Sequence, residues 1–127
     1  MKRVTGIGGI FFKSQNAEQL REWYRAHLGI EADGSNGYMF EWRESEAPDQ
    51  IGGTVWSVFK GDTKYFEPSN SSFMINYRVE DLHAVLAQLR AEGVTVDEKV
   101  DDSEYGKFGW IMDPDGNRIE LWEPPKN

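Results

Sequence analysis

Asp113-Pro114-Asp115-Gly116-Asn117-Arg118-Ile119-Glu120-Leu121-Trp122 reads as a tight turn feeding a strand. Pro presets φ and Gly tolerates the positive φ that such turns need. The strand then alternates. Ile119 and Leu121 are apolar on one face, and Arg118, Glu120 and Trp122 share the other. Phe108 to Met112 reads as the strand before the turn, so a hairpin ends the chain with one carboxylate on its mixed face.

Working back from that hairpin, the chain repeats itself. Val4 to Phe12 reads as a strand. Asn16 is an expected helix N-cap, and Ala17, Leu20, Tyr24 and Leu28 follow at helical spacing until Gly29. Tyr38 to Trp42 and Gly53 to Phe59 read as strands. The order then returns: a strand at Phe73 to Val79, then a helix capped by Glu80 or Asp81, with Leu82, Val85, Leu86 and Leu89 on one face and Gly93 at its end. A strand at Val94 to Val100 precedes the final hairpin. Sliding the chain by 65 residues places Gly9 on Met74 and Val55 on Glu120. Two modules are expected within one domain spanning residues 1–127, at about 1–60 and 72–127, joined by a connection at about 61–71. Neither half has enough core to stand alone.

Composition narrows the function. The net charge of −8 repels phosphate backbones and anionic lipid, so no nucleic-acid or membrane role is expected. No apolar run approaches the ~20 residues of a membrane span. Lys2 and Arg3 are not followed by a signal-peptide core, and a cytoplasmic location is expected. The chain has no cysteine, which excludes disulfides, a thiolate nucleophile and a Cys-based zinc site. No serine has a readable His and acid partner for a hydrolase triad. Gly6-Ile7-Gly8-Gly9 lies inside the first strand with Phe at position 11, so it is not a dinucleotide loop.

Strand parity separates two faces. Ile10, Phe12, Ile75, Tyr77, Ile119 and Leu121 are all apolar and are expected beneath the helices. Gly9, Phe11, Met74, Asn76, Arg118, Glu120 and Trp122 have the mixed character of a pocket wall.

Phe11-Phe12-Lys13, Trp23 to Gly29, Val79-Glu80-Asp81-Leu82 and Asp113 to Trp122, in this order and spacing, resemble the vicinal oxygen chelate superfamily, which includes glyoxalase I, extradiol dioxygenases and bleomycin-resistance proteins. The resemblance covers nearly the whole chain. It implies an α+β fold of two βαβββ modules curling a mixed sheet around a cup, with the helices outside, and commonly a homodimer. It also implies metal ligands, usually His and Glu, on the first and last strands of each module. Those positions fall on Gly9, Met74, Val55 (or Trp56 after a one-residue slip) and Glu120. Only Glu120 can ligate a divalent ion, so neither a metal nor a cofactor is expected. His27 and His83 lie on helices, away from the cup.

The expected ligand-binding residues are Phe11, Trp56, Met74, Asn76, Tyr105, Trp110, Arg118, Glu120 and Trp122. Asn76 suits orienting a carbonyl or hydroxyl, the three tryptophans suit stacking on a flat ligand, and Tyr105 to Trp110 suits a pocket edge. The first functional expectation is metal-free binding of a small, partly aromatic molecule. An alternative is a lyase, isomerase or dioxygenase-like enzyme using Glu120 as general base or as the remaining metal ligand, with Glu120–Arg118 pairing as a structural option. A third is a subunit that docks a partner on its sheet face or edge.

Overall fold

The computed structural model describes residues 3–32 and 37–126; Lys2 lies outside them. The chain runs β1 (Val4–Ser14), α1 (Ala17–Leu28), β2 (Tyr38–Arg43), β3 (Ile51–Lys60), β4 (Phe73–Val79), α2 (Leu82–Ala91), β5 (Val96–Ser103), β6 (Gly106–Met112) and β7 (Arg118–Glu123). The second repeat is βαβββ. The first has the same order, with two strands after its helix among the described residues. No described helix is long and apolar enough to cross a membrane.

The seven strands of the described residues form one mixed sheet in the order β2-β3-β1-β4-β7-β6-β5. β1 pairs parallel with β3, and β4 parallel with β7. A parallel pair needs a long crossover, which each helix helps to supply. The two repeats join through the antiparallel β1–β4 pair, where Gly9 faces Asn76. The sheet curls: Met39 of β2 and Phe108 of β6 line one cleft. Five strand spacings would hold them about 24 Å apart in a flat sheet.

Helix ends follow local chemistry. Gly29, at φ +72°, closes α1 by donating its N–H to the Arg25 carbonyl at 3.1 Å. Asp81 caps α2, its Oδ1 accepting from the Ala84 N–H at 3.1 Å. Asn16 occupies the N-cap position of α1, but its side chain makes no capping bond.

The helices cover the face that parity assigned to them. Under α1, Phe12, Leu20 and Tyr24 pack around Ala17, Trp56 and Val58. Under α2, Val79, Leu82, Val85, Leu86 and Leu121 form a core joined by Tyr77 and Ile119. Ile10 is the exception at 41% exposed. α1 packs on β1 and β3 and α2 on β5, β6 and β7, and Ile10 belongs to neither of the clusters beneath them. Leu28, at 60% exposed, also stays outside the core.

A third cluster lies on the opposite face. Phe11, Met74 and Trp110 are buried there by Phe66, which comes from the connection between β3 and β4 and is 1% exposed.

Burial predicts a contrast between two leucines. Leu86→Ala should cost about 2–5 kcal/mol and lower the urea midpoint at unchanged m. Leu28→Ala should stay within about 0.5 kcal/mol.

Candidate functional site

Glu120 is the polar centre of the inner face. It is 1% exposed, and three donors from three parts of the chain converge on it. Asn76 Nδ2 of β4 donates to Oε1 at 2.6 Å. Trp110 Nε1 of β6 donates to Oε2 at 3.0 Å. The Tyr65 hydroxyl, from the connection, also donates to Oε2. Burial pushes the Glu120 carboxyl above its ordinary value of 4.5, while these bonds, and more weakly the charge of Arg118, pull it down. The Tyr65 phenol is raised by burial and by the adjacent carboxylate, so it remains a donor.

The connection is pinned in place. Arg118 donates to the Tyr65 carbonyl, and its guanidinium lies over the rings of Trp110 and Tyr65, with centroids at 4.9 and 5.8 Å. Ser71 Oγ donates to Asn117 Oδ1 at 2.7 Å. Asn117 belongs to the Asp113 turn, where Asp113 Oδ1 accepts from the N–H groups of Asp115 and Asn117, each at 2.9 Å.

Beside this floor lies a cleft of about 370 Å3, lined mainly by apolar groups: Phe11, Met39, Val55, Phe59, Tyr65, Phe108 and Trp122, with Gly8, Asn76, Tyr105 and Glu120. Trp122 stacks on Phe108 at 5.9 Å and 5°, and its Nε1 donates to the Tyr105 carbonyl at 2.8 Å. One acceptor in the cleft has no partner: the buried Oδ1 of Asn76. A Cβ on Gly8 would lie 2.2 Å from this oxygen, so glycine alone leaves room there.

Of the residues expected from sequence, Phe11, Asn76, Tyr105, Glu120 and Trp122 meet in the cleft. Trp56 does not. It packs against Phe12 and Tyr24 beneath α1, and its neighbour Val55 faces the cleft instead, because successive strand residues alternate faces. Met74 and Trp110 are on the inner face but buried in the floor under Phe66, and neither lines the cleft. Arg118 does not pair with Glu120. It reaches Asp97 at 3.7 Å and holds the connection. Tyr65, Phe59, Met39 and Gly8 were missed. The signal for Tyr65 was the aromatic pair Tyr65-Phe66 inside an otherwise polar linker, since two adjacent aromatics seldom stay in water.

The residues present do not fit the divalent metal that the fold family implies. Val55, Gly9, Asn76 and Glu120 form one cross-strand row. That row offers one carboxylate and one amide, and Asn76, not Met74, stands beside Glu120. β1 is irregular between Ile7 and Gly9, so no single sequence offset holds along it. Both Glu120 oxygens already accept protein donors, and no group of three His, Asp or Glu side chains converges among the described residues. A hard or borderline divalent ion needs several oxygen or imidazole donors.

The raised Glu120 carboxyl has a signed consequence. Its protonated form is favoured by folding, so this contribution to stability is present below pH 4.5 and is lost as pH rises through the higher folded value. Glu120→Gln removes that titration. If Asn76 turns its amide to accept from the new Gln, Trp110 and Tyr65 still donate to the Gln oxygen while the Asn76 N–H groups take the place of its unpartnered oxygen. The melting temperature of the Gln variant minus that of wild type should therefore grow as pH rises above 4.5; a difference independent of pH would contradict the assignment.

The fold has solved counterparts. Methylmalonyl-CoA epimerase from Mycobacterium tuberculosis is 22% identical at TM-score 0.61, over 99% of this chain and 92% of that one. A variant of the Streptomyces coelicolor epimerase in complex with 2-nitronate-propionyl-CoA is 19% identical at TM-score 0.68, over 97% and 99%. An NAD-dependent benzaldehyde dehydrogenase from Legionella pneumophila is 13% identical at TM-score 0.58, over 92% and 98%. At such identities the likeness is one of fold. No curated protein sequence matches the chain. Residues 9–122 match the glyoxalase-like domain, and the chain belongs to that family within the vicinal oxygen chelate superfamily.

Proposed function

We propose that the protein binds a small, partly aromatic molecule in the cleft without a resident metal. The observation that carries this reading is the unpartnered Oδ1 of Asn76, a residue 1% exposed that lines an aromatic-walled cleft of small-molecule size. A buried acceptor without a donor costs about 1–3 kcal/mol, and a ligand N–H or O–H would remove that cost. Phe11, Phe59, Phe108 and Trp122 would supply the apolar contact area.

A second reading is proton transfer by Glu120. It is favoured by a carboxyl raised by burial at the edge of the cleft and by a shared fold with enzymes that act on methylmalonyl-CoA. Against it, all three donors of the floor already occupy the carboxylate.

Titration calorimetry tests the first reading. Indole should bind about 5- to 150-fold more tightly than N-methylindole, which cannot donate to Asn76. Met39→Trp, which fills the cleft from its rim, should abolish both signals by calorimetry. Equal affinity for the two compounds would remove the role of Asn76, and absence of binding by either would sink the binding reading. Any turnover found with C–H acidic thioesters should fall by ~10²-fold or more in Glu120→Gln if Glu120 is the base.

A further inference from the structure

Arg78 stands apart from the other arginines. Six of the seven have a protein acceptor: Arg3 has Glu92, Arg25 has Glu22, Arg118 has Asp97 and the Tyr65 carbonyl, and Arg21, Arg43 and Arg90 have backbone carbonyls. The Arg78 side chain makes no hydrogen bond and no ion pair with any described residue, in a chain carrying 22 acidic residues. Its Nε is buried and unsatisfied. Burial lowers its pKa, with Glu44 as the carboxylate whose field opposes that shift.

Its surroundings are aromatic. The guanidinium carbon lies over the ring of Trp42 at 5.5 Å and over that of Trp122 at 5.1 Å. Trp42 reaches across from the β2 side and Trp122 stands on β7, the other neighbour of β4, so the two indoles flank the cation. Three glycines make room: a Cβ on Gly6 or Gly52 would strike Trp42 at 2.5 or 2.4 Å, and one on Gly8 would strike both the Arg78 stem and Trp122 at 2.9 Å. Rings on both sides hold the guanidinium but accept no conventional hydrogen bond from its edge. That edge presents parallel donors suited to a planar carboxylate.

Asn76 and Arg78 lie two residues apart on one face of β4, and Trp122 and Gly8 border both the cleft and Arg78. We propose that Arg78 anchors the carboxylate of the cleft's ligand, whose chemical class is an aromatic acid carrying a ring N–H or O–H. The ring occupies the cleft, its donor meets Asn76 Oδ1, and its carboxylate meets the edge of Arg78 at the mouth. This rests on the cleft being a binding site, as argued above, and adds the charge of the ligand. The net charge of −8 disfavours anions in general, so a preference for the acid must come from a local cation.

The test compares indole-3-acetate with indole-3-acetamide on the full chain by calorimetry at fixed ionic strength. The wild type should bind the acid at least about tenfold more tightly than the amide. Arg78→Met keeps a stem between the indoles. It should bring the acid to the affinity of the amide while leaving the amide within about twofold. Arg78→Lys, which retains charge without the fork, should fall between them. Equal binding of acid and amide by the wild type overturns the anchor and leaves the cleft reading standing. A preference that persists in the Met variant also overturns the anchor. Binding of neither compound overturns both readings. The wild-type comparison needs no variant, so a failure of Arg78→Met to fold would not rescue the proposal.

Discussion

A carboxylate with 1% exposure must be matched by donors, and Glu120 governs much of this molecule. β4 and β6 each bring one donor to it as neighbours in the sheet. The third, from Tyr65, can arrive only if the connection between the repeats crosses the inner face instead of running outside. Once the tyrosine is in place, Phe66 follows it and seals Phe11, Met74 and Trp110. A linker expected to do no more than join two modules thus supplies both a bond to the buried charge and the plug over the floor.

Satisfying Glu120 also shapes the proposed ligand site. The carboxylate is already dry and bonded at both oxygens, so a molecule entering the cleft has little water to strip from it. The usual cost of bringing an apolar ligand against a charge is met at the folding stage. Arg118 adds to this by giving its hydrogen bond to the Tyr65 carbonyl and its ion pair to Asp97, leaving only its longer-range field at Glu120. The unsatisfied groups near the cleft are then the Asn76 oxygen and the Arg78 Nε, and these point to hydrogen bonding and charge in a ligand more directly than the buried carboxylate does.

The repeat, the helices and the turn at Asp113 were legible because each rests on local chemistry: period, caps, and Pro-Asp-Gly in a turn. The face of each strand was legible wherever alternation ran unbroken, as from Ile119 to Trp122. It became ambiguous where a shift of one residue reverses the answer. Val55 and Trp56 are such a pair, and the pairing of Gly9 with Val55 decides between them. Met74 and Asn76 were ranked by a single offset that the irregular β1 does not respect. Trp110 was expected to stack on a ligand at a pocket edge, but its burial depends on Phe66, about 45 residues earlier in sequence and part of no periodic element.

The cleft was harder to read than its walls because much of it is made by side chains that are missing. Gly6, Gly8 and Gly52 lie within strands, where glycine ordinarily weakens packing and propensity. Here the absent Cβ atoms let the indoles of Trp42 and Trp122 lie close over the backbone and let Asn76 keep an open oxygen. A pattern of apolar and polar residues registers what each position contributes and is blind to the room it leaves. Two adjacent glycines act at the heart of β1: Gly9 offers no donor to a metal, and Gly8 leaves space beside Asn76 and Arg78. The chemistry of the site therefore turns on hydrogen bonds and charge from β4 and β7, with β1 serving mainly to stay out of the way.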